Sequence, residues 1–433
     1  MRWILNGLYL LILLVLAPYL ALVSIRTGKY RRGWGQKLLG LVPVRRSESA
    51  CLWLHAVSVG EVNLLGAFLS RFEAAHPDWE CVISTTTRTG FDVATRRYAP
   101  RSVFYCPLDF SWAIGSVFRR IRPSAIVLAE LELWPNLIAS ARRRNVPVAI
   151  INGRLSERSF RGYRRIAWIA RRMLARITAI AAQDATVADR FMELGARSET
   201  VRVCGSMKFD GARTERDNPL TRSLADLWPI DPGDCLFLAG STQEPEERIV
   251  VERFRALADR YPGLRCALVP RHPERFADVA RMLDQCGMPW DRRSRLPGNT
   301  TGARILLVDS VGELGGWWGL ARIAFVGGSL GSRGGQNMIE PAGYGAAIAF
   351  GPNTANFRDI VRLMLERDAA RVVRDGDELE RFLTRCLDDP AFASGLGERA
   401  RRLVLDHQGA ADRTLAFLSQ RLGWSRVPLR DVA

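Results

Sequence analysis

Three acidic residues stand where a parallel α/β sheet meets its ligands. Leu52, Trp53, Leu54, Ala56 and Val57 form an apolar run of strand length, and Ser58-Val59-Gly60 breaks it. Glu61 then opens a segment in which Val62, Leu65, Leu69 and Phe72 recur at helical spacing. The carboxylate is thus expected at the carboxyl end of a strand and in the first turn of a helix. Ligands bind at that end of open α/β sheets, although an acid there also complements the helix dipole. Glu130 and Glu132 follow the apolar run 125–128 in the same way, ahead of Pro135, a residue suited to a first helical turn. One of these two carboxylates is expected to face a ligand and the other to hold structure. The run 146–151 ends in Asn152-Gly153-Arg154-Leu155-Ser156, which adds a guanidinium to the same rim.

The second half carries cations and glycines instead. Gly240-Ser241-Thr242, Pro270-Arg271-His272 and the stretch 309–313 each close an apolar run. The richest segment is Gly327-Gly328-Ser329-Leu330-Gly331-Ser332-Arg333-Gly334-Gly335-Gln336-Asn337, leading into Met338-Ile339-Glu340-Pro341. Glycines allow close backbone approach, and a helix start presents free N–H groups to an anion. With Arg271, Arg333 and Lys208 as charges, the pattern reads as a phosphate site. It is neither the dinucleotide fingerprint nor a P-loop, because the spacing differs and no Gly-Lys-Ser/Thr follows. Gly327, Ser329 and Gly331 do match the nucleophile-elbow pattern of hydrolases. A triad would then need a later acid and histidine, and only His407 remains, after Asp406 in a helical stretch. The four histidines, His55, His76, His272 and His407, show no ligand spacing, so no metal site is expected.

These groups need a scaffold. Apolar runs at 52–57, 81–84, 125–128, 146–151, 177–182 and 201–204 alternate with helical patterns, which predicts a parallel sheet covered by helices. A second series runs through 235–239, 266–269, 305–308, 323–326, 347–350 and 371–373, and the chain is helical from Asp377 on. A polar linker is read at 211–222. The expected organisation is a first Rossmann-like domain at 45–210, a second at 223–405 with a cleft between them, and a helical tail at 406–433. A chain of 433 residues suits two domains.

Lys and Arg number 62 against 45 Asp and Glu, a net charge of +17. Nucleic acid, an anionic membrane surface or a phosphorylated substrate would each suit that charge. Residues 3–23 form an apolar, uncharged run, and about 20 residues suffice to span a bilayer. Arg2 precedes it; Arg26, Lys29, Arg31, Arg32 and Lys37 follow. This predicts a transmembrane signal anchor at 1–25, with the body of the protein on the cytoplasmic side of the cytoplasmic membrane. At 161–177, Tyr163, Ile166, Ile169, Met173, Leu174 and Ile177 line one face of a basic amphipathic helix, which either lies on a membrane or exposes its charges to water. The eight cysteines contain no CxxC pair. Cys51, Cys81, Cys204, Cys235 and Cys266 read as small core residues in a reducing compartment.

Taken in order, LWLHAVSVGEV, TTTRTG, ELELWPNL, INGRLSERS, AGST with Glu244-Pro245-Glu246-Glu247, LVPRHPERF and FVGGS with GGQNMIEPA resemble the 3-deoxy-D-manno-octulosonic acid (Kdo) transferases of lipopolysaccharide synthesis. The resemblance runs from the amino-terminal segment to about Ala411. It implies a GT-B glycosyltransferase of two Rossmann-like domains that moves Kdo from CMP-Kdo to the 6′-hydroxyl of a lipid A precursor, with inversion. On the matching positions, Glu61 is the implied general base, Glu130 or Glu132 supports it, and Ser58, Gly60 and Arg154 lie on the acceptor side. Donor contacts are implied for Ser206, Lys208, Ser241, Thr242, Pro270, Arg271, His272, Gly312, Glu313, Leu314, Gly327, Gly328, Ser329, Asn337 and Glu340. Gln243 and Gln336 stand where many members carry histidine, and a glutamine cannot be protonated near neutral pH. Arginines and helix-start amides would meet the phosphate charge of CMP, so no cofactor is expected, nor nucleic acid as a partner. A membrane-tethered binding protein for nucleic acid or acidic lipid would also explain the charge, but not the polar groups gathered at strand ends.

Overall fold

The computed structural model describes residues 2–27, 32–298 and 302–424; Lys29, Arg31 and the last residues of the chain, 425–433, lie outside it. The chain forms two units, Met1–Gly211 together with Gln408–Ala433, and Ala212–His407.

In the first unit β1 (Cys51–His55), β2 (Glu80–Thr85), β3 (Val103–Tyr105), β4 (Ala125–Ala129), β5 (Val148–Gly153), β6 (Ala179–Ala182) and β7 (Val201–Val203) form one sheet in the order β3-β2-β1-β4-β5-β6-β7. All its pairings are parallel. The near-continuous apolar runs follow from this, because a parallel strand is covered on both faces. Leu52 and Leu54 pack with Phe68, Leu69 and Phe72 on one side, and Trp53 packs with Phe104 and Phe118 on the other. The order reverses between β1 and β4, so the loops leaving these two strands border the crevice where such sheets bind ligands. The carboxyl-terminal helix Ala410–Leu422 belongs to this unit. It lies on the helix Val59–Ala75, and Asp210 accepts N–H bonds from Gly409 and Ala410 at its start.

In the second unit β8 (Cys235–Thr242), β9 (Leu264–Pro270), β10 (Trp290–Arg292), β11 (Ile305–Leu307), β12 (Ile323–Val326), β13 (Ala347–Phe350) and β14 (Arg371–Val372) form a parallel sheet in the order β10-β11-β9-β8-β12-β13-β14. Its reversal falls between β8 and β12. The stretch read as a linker is fastened to this unit, since Arg216 donates to the carbonyls of Tyr344, Gly319 and Ala321.

Two expectations change. The amino-terminal run is a helix, Arg2–Thr27, with Pro18 inside it. Among the described residues, however, no helix is long and apolar enough to cross a membrane. The polar residues Asn6 and Tyr9 within the run face the protein and are hydrogen-bonded there. The basic segment at 161–177 is not one helix either. Helices Glu157–Arg165 and Ala167–Leu174 meet at Ile166, where φ is −118°. The break takes Ile166 off the apolar face and leaves Trp168 68% exposed, while Met173, Leu174 and Ile177 remain buried.

Candidate functional site

Glu61 lies in the first turn of the helix Val59–Ala75, whose N-cap is Ser58. One carboxylate oxygen accepts the Val57 N–H at 2.8 Å and the other accepts the Ser58 hydroxyl at 2.8 Å. Burial raises the proton affinity of Glu61 above that of an ordinary glutamate. The two hydrogen bonds offset part of that rise, and the charge of Glu130 adds to it. Burial thus outweighs the hydrogen bonds.

Across the switch point, β4 ends at Ala129 and Glu130 turns with φ at +58°. The strand does not continue through the acids. Both acids act electrostatically on the same group, Glu61. Burial lifts the pKa of Glu132 to about 7, helped by the charges of Glu61 and Glu130 and opposed by a bond from Trp134 Nε1 at 2.9 Å. Lys208 Nζ stands 3.9 Å from Glu130. Its loop is held by Asn152, whose Oδ1 accepts the Met207 N–H at 3.0 Å. Lys208 and Ser206, read as donor contacts, are therefore part of the first unit, and Lys208 faces the acidic cluster. Gly60 is exposed and Arg154 half-buried at the exits of β1 and β5.

In the second unit the glycine-rich turn after β12 already holds an anion, and that anion belongs to the protein. Glu246, 1% exposed, accepts N–H bonds from Gln243 (2.9 Å) and Gly328 (2.7 Å) on one oxygen. Its other oxygen accepts from Ser329 (2.8 Å) and Leu330 (2.9 Å). The amides expected to cradle a phosphate are occupied. The Ser329 hydroxyl is engaged as well, donating to the Val326 carbonyl and accepting from Gly351 N–H, which also removes it as a hydrolase nucleophile. Glycine is required at 327 by close approach: a Cβ there would lie 2.6 Å from Thr242 Cα.

What remains open around that turn is a cleft of about 330 Å³, lined among others by Gln243, His272, Arg275, Gly328 and Arg333. Gln243 and Gln336 both bring their amides beside Gly328. Ser241 adopts φ of +57° where β8 and β9 lose register, between the pairs Gly240–Val269 and Thr242–Pro270, and Arg271 N–H bonds the Thr242 carbonyl. Arg271 lies exposed beyond this point, and its charge reaches Glu340. Burial raises the pKa of Glu340, and Asn337 Nδ2 bonds it at 2.9 Å. The Glu313 carboxylate is committed to Arg293 and Ser310, so Gly312, Glu313 and Leu314 can offer a ligand only the backbone at the start of Leu314–Leu320.

Residues 31–211 match the family model of 3-deoxy-D-manno-octulosonic-acid transferases (kdotransferases). The 3-deoxy-D-manno-octulosonic acid transferase of Haemophilus influenzae is 33% identical over 423 residues, covering 96% of this chain and 98% of that protein. The chain belongs to the Kdo transferase family. The transferase of Bordetella pertussis is likewise 33% identical over 442 residues, covering 96% of this chain and all (100%) of that protein. In fold, this Kdo transferase is similar to a glycosyltransferase from Rickettsia africae (TM-score 0.55, 12% identity, 87% of this chain and 99% of that one). It is similar to the same degree to a UDP-GlcNAc 2-epimerase from Neisseria meningitidis (TM-score 0.55, 11% identity, 86% and 100%). Both units are parallel α/β domains like those of GT-B glycosyltransferases, and the protein is a glycosyltransferase.

Two residues of this Kdo transferase went unread in the sequence. Glu246 was quoted without a role, yet Val250 and Phe254 follow it at helical spacing and are buried, so the acid shares the buried face. His55 is fully buried with Nδ1 2.9 Å from Ser84 Oγ; burial lowers its pKa to about 4, which keeps it neutral. Its place in an unbroken apolar run was the available signal.

Proposed function

We propose that the protein transfers Kdo from CMP-Kdo to the 6′-hydroxyl of a lipid A precursor with inversion, the first unit activating the acceptor and the second holding the donor. The acceptor oxygen attacks the anomeric carbon, the bond from that carbon to the CMP phosphate oxygen breaks, and Glu61 takes the hydroxyl proton as CMP leaves. The observation that carries this reading is the state of Glu61. It is a partly desolvated carboxylate at a switch point, oriented by two donors, with a proton affinity raised toward what a base at neutral pH requires. Glu132, which feels the charge of Glu61, and Lys208, beside Glu130, would orient the acceptor.

On the donor side, Arg271 and Arg333 would meet the phosphate. Asn337 and Glu340 would take sugar hydroxyls. Arg271→Ala is expected to weaken CMP-Kdo binding by roughly tenfold or more. Titration followed by thermal shift checks this, and an unchanged affinity would move the phosphate site elsewhere.

The membrane reading takes a different form from a spanning anchor. Ile4, Leu11, Leu14, Val15 and Ile25 lie exposed on the amino-terminal helix, a face suited to lying in a lipid interface. Arg119, Arg142, Arg143, Arg144, Arg172 and Arg176 crowd one region of the first unit. Burial, followed by the neighbouring arginines, lowers the pKa of Arg144 and Arg176. Such a patch suits an anionic leaflet.

The test is an assay with CMP-Kdo and a defined tetra-acyl lipid A precursor, read by product mass and CMP release. Addition of Kdo with one CMP per sugar is expected. CMP release without a heavier acceptor would contradict the transfer to lipid A.

A further inference from the structure

The amino-terminal helix is tied to the carboxylate loop by its buried polar side chains. Asn6 is 3% exposed in a helix where Leu14 is 69% exposed. Its Nδ2 donates to Ser111 Oγ at 2.8 Å, while its Oδ1 accepts the Ser111 N–H at 3.0 Å and Asn136 Nδ2 at 3.3 Å. Asn136 Nδ2 also donates to the Asp109 carbonyl. The Asp109 carboxylate accepts the N–H groups of Asn136 (2.8 Å) and Leu137 (2.9 Å) and the Tyr9 hydroxyl (3.2 Å). The Tyr9 ring stands edge-on to Phe110.

These amides are the first-turn donors of the helix Pro135–Arg143, whose own N-cap, Trp134, supplies no side-chain bond. A helix start left without a partner is costly, so Asp109 caps it from a distant segment. The loop that ends at this cap is 130–134. At its other end Glu130 N–H bonds the Ile151 carbonyl at 2.9 Å. Between the two fixed points hang Glu132 and the Trp134 ring that bonds it. The short loop is fixed at both ends, and Leu131, Leu133 and Trp134 pack against the core between them.

We infer that Asn6 and Tyr9 are positioning residues for the reaction: through Asp109 and Asn136, the amino-terminal helix sets where Glu132 stands beside Glu61. The inference rests on reading the carboxylate cluster as the acceptor-activating site. The helix is then part of the working first unit, so an amino-terminal truncation would impair turnover even on acceptor that needs no membrane.

The experiment compares full-length wild type, Asn6→Ala, Tyr9→Phe and Glu132→Gln on acceptor dispersed in non-ionic detergent, where attachment to a bilayer plays no part. Folded fraction is taken from circular dichroism and donor-side integrity from CMP thermal shift. Asn6→Ala is expected to lower kcat per folded molecule roughly tenfold, in line with the cost of a misplaced catalytic group, with CMP affinity unchanged. Tyr9→Phe keeps the ring against Phe110 and loses only the hydroxyl, so a smaller loss of the same kind is expected. If Asn6→Ala does not fold, Tyr9→Phe decides. Tyr9→Phe and any folded Asn6→Ala within twofold of wild-type kcat, alongside an impaired Glu132→Gln, would overturn the positioning role alone. Wild-type turnover in Glu132→Gln would instead overturn the site reading and this inference with it.

Discussion

Glu61→Gln is expected to lose about 10²- to 10⁴-fold in kcat, the range a positioned general base contributes, while CMP binding stays at the wild-type level. The substitution keeps the size and planarity of the side chain. Its amide oxygen can still accept the Val57 N–H, and Ser58 still caps the helix through Glu61 N–H at 3.4 Å. Folding should therefore change by no more than about 1 kcal/mol, the net worth of one hydrogen bond. An amide has no lone pair basic enough to take a proton from a sugar hydroxyl, so the loss should fall on kcat and not on donor affinity. Retention of more than a tenth of wild-type turnover would remove Glu61 from the mechanism.

Glu246→Ala is expected to be the most damaging change in the second unit. It strips the partner from four buried or half-buried N–H groups, those of Gln243, Gly328, Ser329 and Leu330. It also opens a gap between the helix Glu246–Ala258 and the turn after β12. Breaking a buried charged network in this way costs about 3–5 kcal/mol. Urea unfolding of the purified chain should show a lower midpoint for the second unit, and CMP stabilisation should fall because Gly328 lines the cleft. Glu246→Gln, which keeps one acceptor oxygen, should recover part of the loss. Wild-type stability in the alanine variant would mean that the turn needs no internal anion.

The two sheets and the placement of Glu61 were legible because parallel strands buried on both faces must be continuously apolar, and the residue after such a run must sit at a sheet end. The strands that escaped notice, Val103–Tyr105 and Trp290–Arg292, are short strands at the edges of their sheets. An edge strand buries less and carries a weaker pattern. The glycine-rich turn was correctly read as a cradle for negative charge, but its occupant was not. Gly328 and Ser329 announce free amides, whereas Glu246 lies about 80 residues earlier, and only the fold brings it to them. The same holds at the amino terminus. Hydropathy averaged over the first helix hides Asn6 and Tyr9, whose partners Ser111 and Asp109 are about 100 residues away. The directions of Glu130 and Glu132 were not legible for a local reason: φ of +58° at Glu130 takes both acids out of the strand pattern.

If Glu61 is the base we propose, this half-buried carboxylate must be ionised for sugar transfer. The most direct measurement is the pH dependence of kcat/KM for wild type and Glu130→Gln. Lowering the pH protonates Glu61 and abolishes its ability to accept a proton. Because burial and the charge of Glu130 both raise its pKa from the ordinary 4.5, the acid limb should lie above that value. Removing the Glu130 charge should move the limb to lower pH. A rate that stays level down to about pH 4.5, the ordinary glutamate range, or a limb that Glu130→Gln leaves in place, would contradict the assignment.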